Sequence, residues 1–175
     1  MEKNEEFTAH LLGNSLSSNS KKAYTFLKDN FLGEMRNDKV FYSVYEGLFM
    51  LRKKGMKIVC GKKQLNENEA IQKFSRIEKN FLLKSKIYED LRLKGMVLKS
   101  GMKYGADFSV YEKGKKPGRD HSSWLLSAEK SSDQLKIKDF ILKNRVANST
   151  KKKTILAIEN GEGDMIYYEV IWKRF

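Results

Sequence analysis

The sequence predicts an α/β (α+β) fold in two parts, residues 1–80 mixing helices with short strands and residues 81–175 rich in strands with one main helix. Three observations carry this. Several segments repeat apolar residues at helical spacing behind capping signals. Others are short runs of β-branched and aromatic residues bounded by Gly, Asn or Asp. The balance between the two shifts near residues 79–81, although no Pro/Gly/Ser linker marks a boundary there.

In chain order, "EEFTAHLLGNSLSS" reads as a strand entering a polar turn, and His10 falls in that strand as a structural residue. "NSKKAYTFLKDNFLG" reads as a helix stopping at Gly33, and "KVFYS" as a short strand. In "SVYEGLFMLRKKG", Ser43 and Glu46 have capping-box spacing, while Val44, Leu48 and Leu51 recur along one helical side. Lys53 and Lys54 suit the helix C-terminus, and Gly55 its stop. "MKIVC" is a strand closed by Gly61. Asn66 and Glu69 repeat the capping box ahead of "AIQKFSRIEKNF".

A further helix covers "FLLKSKIYEDLRLKG", with Leu83, Ile87 and Leu91 as its buried stripe and Gly95 as its end. Strands follow at "MVLKS", "ADFSVY" and "SSWLLSA". "DQLKIKDFILKNRVANS" is helical. "KKTILAIE" and "MIYYEVIWK" pair as a hairpin across the acidic turn "NGEGD". No internal repeat is present.

Composition narrows the function. The formal net charge of +13 favours a polyanionic partner, above all nucleic acid. No apolar stretch approaches the roughly 20 residues of a membrane-spanning helix, so no span is expected, and of the polyanions that suit the charge, RNA, DNA or a membrane surface, nucleic acid and no membrane is the expected partner. The start "MEKNEEF" fits no signal peptide. Cys60 is the only cysteine, which excludes an internal disulfide and fits a reducing cytoplasm.

The segment "YGADFSVYEKGKKPGRDHSSW" concentrates the chemistry. Strand alternation sets Asp107, Ser109 and Tyr111 on one face and turns Phe108 and Val110 to the core. Tyr111 ends the strand. A loop with four basic residues, two glycines and the only proline follows, and His121 stands at its end. An imidazole there can titrate near neutral pH. "NSTKKK" then places three lysines where a helix feeds a strand. From the residues alone this is a basic α/β RNA-binding protein with a candidate histidine-dependent nuclease site.

These blocks together resemble the archaeal tRNA-splicing endonucleases, whose pattern runs Tyr-Gly-x-Asp-Phe-x-x-Tyr, a variable loop, His-Ser, then Arg-x-Ala-x-Ser-x-x-Lys. This chain reads "YGADFSVY", "HSSW" and "RVANSTKK". "SVYEGLFMLRKKGMKIV" and "YEDLRLKGMVLKSGMKYGADF" are also similar, so the resemblance spans nearly the whole chain.

The resemblance implies an N-terminal tRNA-intron endonuclease domain over residues 1–80. It implies a nuclease-like catalytic domain over residues 81–175, with a central mixed β-sheet flanked by helices. The activity implied is cleavage of precursor tRNA at bulge–helix–bulge junctions, with no metal and no cofactor. The ribose 2′-hydroxyl attacks the adjacent phosphate and leaves a 2′,3′-cyclic phosphate and a 5′-hydroxyl. Carried over by position, Tyr111 is the base, His121 the acid and Lys152 the cation that stabilises charge on phosphorus. An unperturbed tyrosine titrates near 10, so Tyr111 stands either as a base with a lowered pKa or as a group that orients the 2′-hydroxyl. "NST" replaces the usual His-Ser-Val, so Lys151 and Lys153 compete with Lys152, which spacing favours.

Arg145 and either Trp172 or Arg174 correspond to a clamp on a flipped base. Glu162 and Asp164 correspond to an acidic loop that enters a neighbouring subunit. The implied assembly is a homotetramer, or a heterotetramer with a non-catalytic paralogue. Two rivals stand beside this reading. A metal-dependent DNA nuclease needs carboxylates around magnesium, yet no Asp or Glu here has Lys two positions later. A non-catalytic, RNA-positioning paralogue should lack the tyrosine, histidine and lysine set.

Overall fold

The structure, a computed structural model, describes residues 6–173. The chain divides into two compact units, Met1–Tyr88 and Glu89–Phe175.

The first unit opens with a hairpin, β1 (Phe7–Leu12) and β2 (Ser15–Ser18), where the sequence suggests one strand and a turn. Gly13, at φ +58°, makes the two-residue reversal, and Leu16 is buried. α1 (Lys21–Asn30) stops before Gly33, because Phe31 already adopts the left-handed conformation and its N–H caps the helix. β3 (Glu34–Arg36) and β4 (Lys39–Tyr42) form a second hairpin. Its turn residues Asn37 and Asp38 both have positive φ, as an Asn-Asp reversal tolerates.

α2 (Val44–Lys53) starts on the expected capping box. Ser43 Oγ accepts from the Glu46 N–H, and Glu46 accepts from the Ser43 N–H. Glu46 is buried and also accepts from the Gly33 N–H at 2.8 Å, so one carboxylate caps the helix and ties down the preceding loop. β5 (Met56–Cys60) pairs parallel with β1 and antiparallel with β6 (Lys63–Leu65), a strand too short to show in the sequence pattern. α3 (Glu67–Ile77) carries the second capping box, built by Asn66 and Glu69. The six-stranded sheet runs β3-β4-β2-β1-β5-β6. Phe74, Phe81, Tyr45, Tyr88 and Phe49 form a connected aromatic cluster in this unit.

α4 (Phe81–Leu93) contains the division between the units, and its stripe Leu83, Ile87 and Leu91 is buried. The second unit is a five-stranded mixed sheet in the order β11-β10-β9-β8-β7. Its strands are β7 (Val97–Ser100), β8 (Phe108–Tyr111), β9 (Trp124–Lys130), β10 (Lys153–Glu159) and β11 (Met165–Val170). β9 and β10 run parallel and are joined through α5 (Ile137–Ser149), since a parallel pair needs a crossover. The remaining pairs are antiparallel. α5 packs on β10 and on a short 3-10 turn, Met102–Tyr104. Phe108 and Val110 face the core as expected. Ser109, on the opposite face, is buried as well, so this sheet is covered on both sides at β8. The phenol of Tyr167 donates to Asp90 Oδ2 at 2.6 Å and ties β11 to the end of α4. Among the described residues, no helix is long and apolar enough to cross a membrane.

Candidate active site

Strand register brings the predicted residues to one end of the second sheet. Val110 lies opposite Trp124 in the β8–β9 pair, and Trp124 lies beside Lys153 in the β9–β10 pair. One residue further toward that end, the row reads Tyr111, Ser123, Lys152 on three neighbouring chain segments. Backbone bonds continue to this row: the Ser123 N–H donates to Val110 O at 2.9 Å, and the Lys153 N–H donates to Ser123 O at 3.1 Å. Adjacent strands lie about 4.8 Å apart, so the backbones of Tyr111 and Lys152 are about 10 Å apart. His121, two residues before Ser123, is exposed beside the row.

The Tyr-Gly-x-Asp-Phe segment owes its shape to backbone constraints. A Cβ on Gly101 would approach Ala106 O to 2.7 Å, so the 3-10 turn and β8 can close on each other only over glycine. Gly105 ends the turn at φ +69°. The Asp107 carboxylate is structural: its Oδ2 accepts from the Ala128 N–H at 2.8 Å, while its own N–H donates to Leu126 O. This pins the start of β8 to β9. The turn thereby presents Tyr104 to the lysine segment. Lys152 Nζ lies 5.3 Å from the centre of the Tyr104 ring, and Lys103 Nζ lies 4.8 Å from it. The reading of the sequence assigned no role to Tyr104 or Lys103. The available signal was an aromatic residue directly after a lysine, confined between Gly101 and Gly105.

The end of α5 separates the three candidate lysines. Thr150 caps the helix, with its hydroxyl donating to Val146 O and Ala147 O. Lys151 follows at φ +55° and donates its N–H to Asn148 O, and the Lys152 N–H donates to Ala147 O at 2.8 Å. These two bonds make a Schellman motif with lysine in the position usually held by glycine. Lys151 is exposed. Lys153 begins β10 and pairs with Glu169, which also accepts from Trp124 Nε1 at 2.6 Å. These two bonds hold the Glu169 carboxyl below the usual range. Lys152 alone of the three contacts Tyr104, and its ammonium also donates to Thr150 O at 3.0 Å.

Burial pushes the Tyr111 phenol above its usual value, the charge of Lys103 acts in the opposite sense, and the neighbouring Tyr104 phenol adds to the rise. In the free protein Tyr111 is therefore neutral at pH 7.

The basic loop is internally braced. Asp120 Oδ2 accepts from the Lys116 N–H at 2.7 Å, and the Asp120 N–H donates to Lys116 O. Lys115 Nζ donates to Ser123 Oγ at 2.8 Å and pairs with Glu112. Gly114 and Gly118 take φ near +90°, which lets so short a loop reverse twice. Lys115 thus anchors the segment that carries His121.

A cavity of about 150 Å³ lies between the end of α5 and the end of β11. Asn144, Asn148, Lys152, Thr154 and Trp172 are among its lining residues. Trp172 is therefore half-exposed against the lysine segment. Arg145 is exposed on α5 and does not line this cavity. Arg174 lies outside the described residues. Glu162 and Asp164 occupy the β10–β11 turn, where both N–H groups donate to Asn160 Oδ1, leaving their side chains exposed. Among the described residues, no group of three or more His, Cys, Asp or Glu side chains converges as metal ligands would.

The mixed sheet, with Tyr111 and Lys152 in one cross-strand row and His121 two residues before its central Ser123, points to a class. Residues 81–168 match the family model described as "tRNA intron endonuclease, catalytic C-terminal domain", and the chain belongs to that family. Among curated proteins, the chain is 32% identical to the tRNA-splicing endonuclease of Pyrococcus horikoshii across the full length of both. It is 31% identical to that of Pyrococcus furiosus over 95% of this chain and 96% of the relative. With the tRNA-splicing endonuclease of Nanoarchaeum equitans it shares 36% identity over 74% of this chain and 86% of the relative.

Proposed function

We propose that this chain is the catalytic subunit of a cytoplasmic tRNA-splicing endonuclease that cuts precursor tRNA at bulge–helix–bulge junctions without a metal ion. Residues 1–80 form its N-terminal domain and residues 81–175 its catalytic domain. The observation that carries the reading is the row Tyr111, Ser123, Lys152 across adjacent segments, with His121 exposed beside it.

The reaction is an in-line transesterification. The 2′-oxygen attacks phosphorus, the bond to the 5′-oxygen breaks, and a 2′,3′-cyclic phosphate and a 5′-hydroxyl result. His121, as the imidazolium, gives its proton to the leaving 5′-oxygen. Lys152 stabilises the charge that builds on the phosphoryl oxygens. Tyr111 has two possible parts. As a phenolate it takes the 2′-hydroxyl proton, and as a phenol it orients that hydroxyl toward phosphorus while solvent water takes the proton. A base with so high a pKa is scarce at pH 7, and each pH unit that raises the phenolate about tenfold lowers an imidazolium acid as much once past that acid's midpoint, so the rate stays level there. An orienting phenol leaves only the loss of the acid, and the rate falls.

Arg145 with Trp172 or Arg174 stacks on an extruded bulge base, for which the half-exposed indole is suited. Glu162 and Asp164 contact a neighbouring subunit in a homotetramer, or in a heterotetramer with a non-catalytic paralogue. Their exposed carboxylates support that contact.

The test is cleavage of a bulge–helix–bulge RNA in excess EDTA, with analysis of the product ends. Cutting that returns only on adding a divalent cation, or that leaves a 3′-hydroxyl, refutes the mechanism. Wild-type cutting by His121→Ala refutes the assignment of the acid.

A further inference from the structure

A lysine that stabilises a transition state must be held before the substrate arrives, because an ammonium on four methylenes otherwise samples many rotamers. Two contacts hold Lys152. One is the bond from Nζ to Thr150 O at 3.0 Å. The other is the Tyr104 ring, whose centre is 5.3 Å from the same Nζ, within the reach of a cation–π contact. The backbone that carries the ring is itself fixed. The Tyr104 N–H donates to Gly101 O at 2.8 Å, Gly105 closes the turn, and α5 packs on that turn. Lys103 approaches the ring to 4.8 Å. Its charge also reaches the Tyr111 phenol. One aromatic side chain therefore gathers two cations at the site.

From this geometry we infer that Tyr104 is a positioning residue, which aims the Lys152 ammonium at the scissile phosphate through the face of its ring. The inference rests on the role proposed above for Lys152. It assigns the function to the ring face and none to the hydroxyl. Phenylalanine should therefore replace Tyr104, and an aliphatic residue should not.

The experiment uses the full chain, a bulge–helix–bulge RNA under single-turnover conditions, and the variants Tyr104→Phe, Tyr104→Leu, Lys152→Gln and the Leu/Gln double variant. Tyr104→Phe should cut within about twofold of wild type, and Tyr104→Leu should slow the cleavage step about threefold to thirtyfold, the span of one cation–π contact. The protein concentration that half-saturates the RNA should not change. In the Lys152→Gln background the leucine substitution should add no further loss.

Independently of cleavage, the Lys152 ε-methylene protons should show an upfield ring-current shift in wild type and Tyr104→Phe that disappears in Tyr104→Leu. Tyr104→Met replaces the leucine variant if that one does not fold. Wild-type cutting by Lys152→Gln overturns the role of Lys152 itself. A slow Lys152→Gln beside a wild-type Tyr104→Leu overturns the positioning role, as does a Leu effect of equal size in both backgrounds. Absence of the ring-current shift overturns it whatever the cleavage results.

Discussion

Lys151 offers a test of how the proposed site is built, because in that proposal it sets the position of Lys152 and takes no part in the chemistry. Its backbone is left-handed at φ +55°, between the Thr150 cap and the Lys152 N–H that closes on Ala147 O. A non-glycine residue there carries a steric cost of about 1–2 kcal/mol. Lys151→Gly relieves it, and the greater freedom of glycine in the unfolded chain returns roughly 0.5–1 kcal/mol. A net gain of about 0.5–1 kcal/mol is expected, which raises the Tm by about 1–4 °C in a chain of this size. Lys151→Val removes the same charge but places a β-branched side chain in the left-handed region. It should destabilise by about 1–2 kcal/mol and twist the Schellman turn.

The assay is paired: thermal unfolding by circular dichroism, and single-turnover cleavage of a bulge–helix–bulge RNA. The glycine variant should be more stable and cut at close to the wild-type rate. The valine variant should be less stable and cut more slowly, since Lys152 follows directly on the distorted residue. Equal slowing in both variants would show that the charge of Lys151 matters and its backbone conformation does not, and the argument would be wrong.

Three further outcomes are expected. Lys153 is engaged with Glu169 at the exposed start of β10. Lys153→Met should therefore cost less than about 1 kcal/mol in urea unfolding and leave cleavage near wild type, in contrast to Lys152→Gln. Asp107→Ala leaves the Ala128 N–H without its acceptor in a buried strand, so a loss of about 1–3 kcal/mol should appear in the same measurement. Burial, reinforced by the charge of Glu46, pushes the Tyr42 phenol well above its usual value, whereas in the unfolded chain it ionises near 10. Above pH 10 the unfolded state thus binds fewer protons than the folded one, and Tyr42 removes about 1.4 kcal/mol of stability per pH unit, a contribution fully present below pH 10. Urea unfolding followed from pH 9 to 11 should show a shallower alkaline decline for Tyr42→Phe.

Much of this protein was legible in its sequence because the signals are local. Both capping boxes, Ser43 with Glu46 and Asn66 with Glu69, act within one helical turn and stand as expected. The stripe Leu83, Ile87, Leu91 and the inward pair Phe108, Val110 follow from backbone periodicity alone. The family blocks around Tyr111, His121 and Lys152 are also linear features.

Tertiary structure decided the rest. β3 and β6, three residues each, exist because a neighbouring strand supplies their hydrogen-bond partners. The first helix terminates on Phe31 in place of Gly33, with Phe31 left-handed and the cap N–H groups bonded to Leu27 O and Phe26 O. Lys151, Lys152 and Lys153 share one side chain and differ in what surrounds them. A helix cap turns one into solvent, a cross-strand carboxylate engages another, and the Tyr104 ring, 48 positions away in the chain, receives the third. Local sequence determines which residues can turn, cap and alternate. Which of three identical ammoniums faces the row at the sheet end depends on contacts between distant segments, and only the folded chain brings those together.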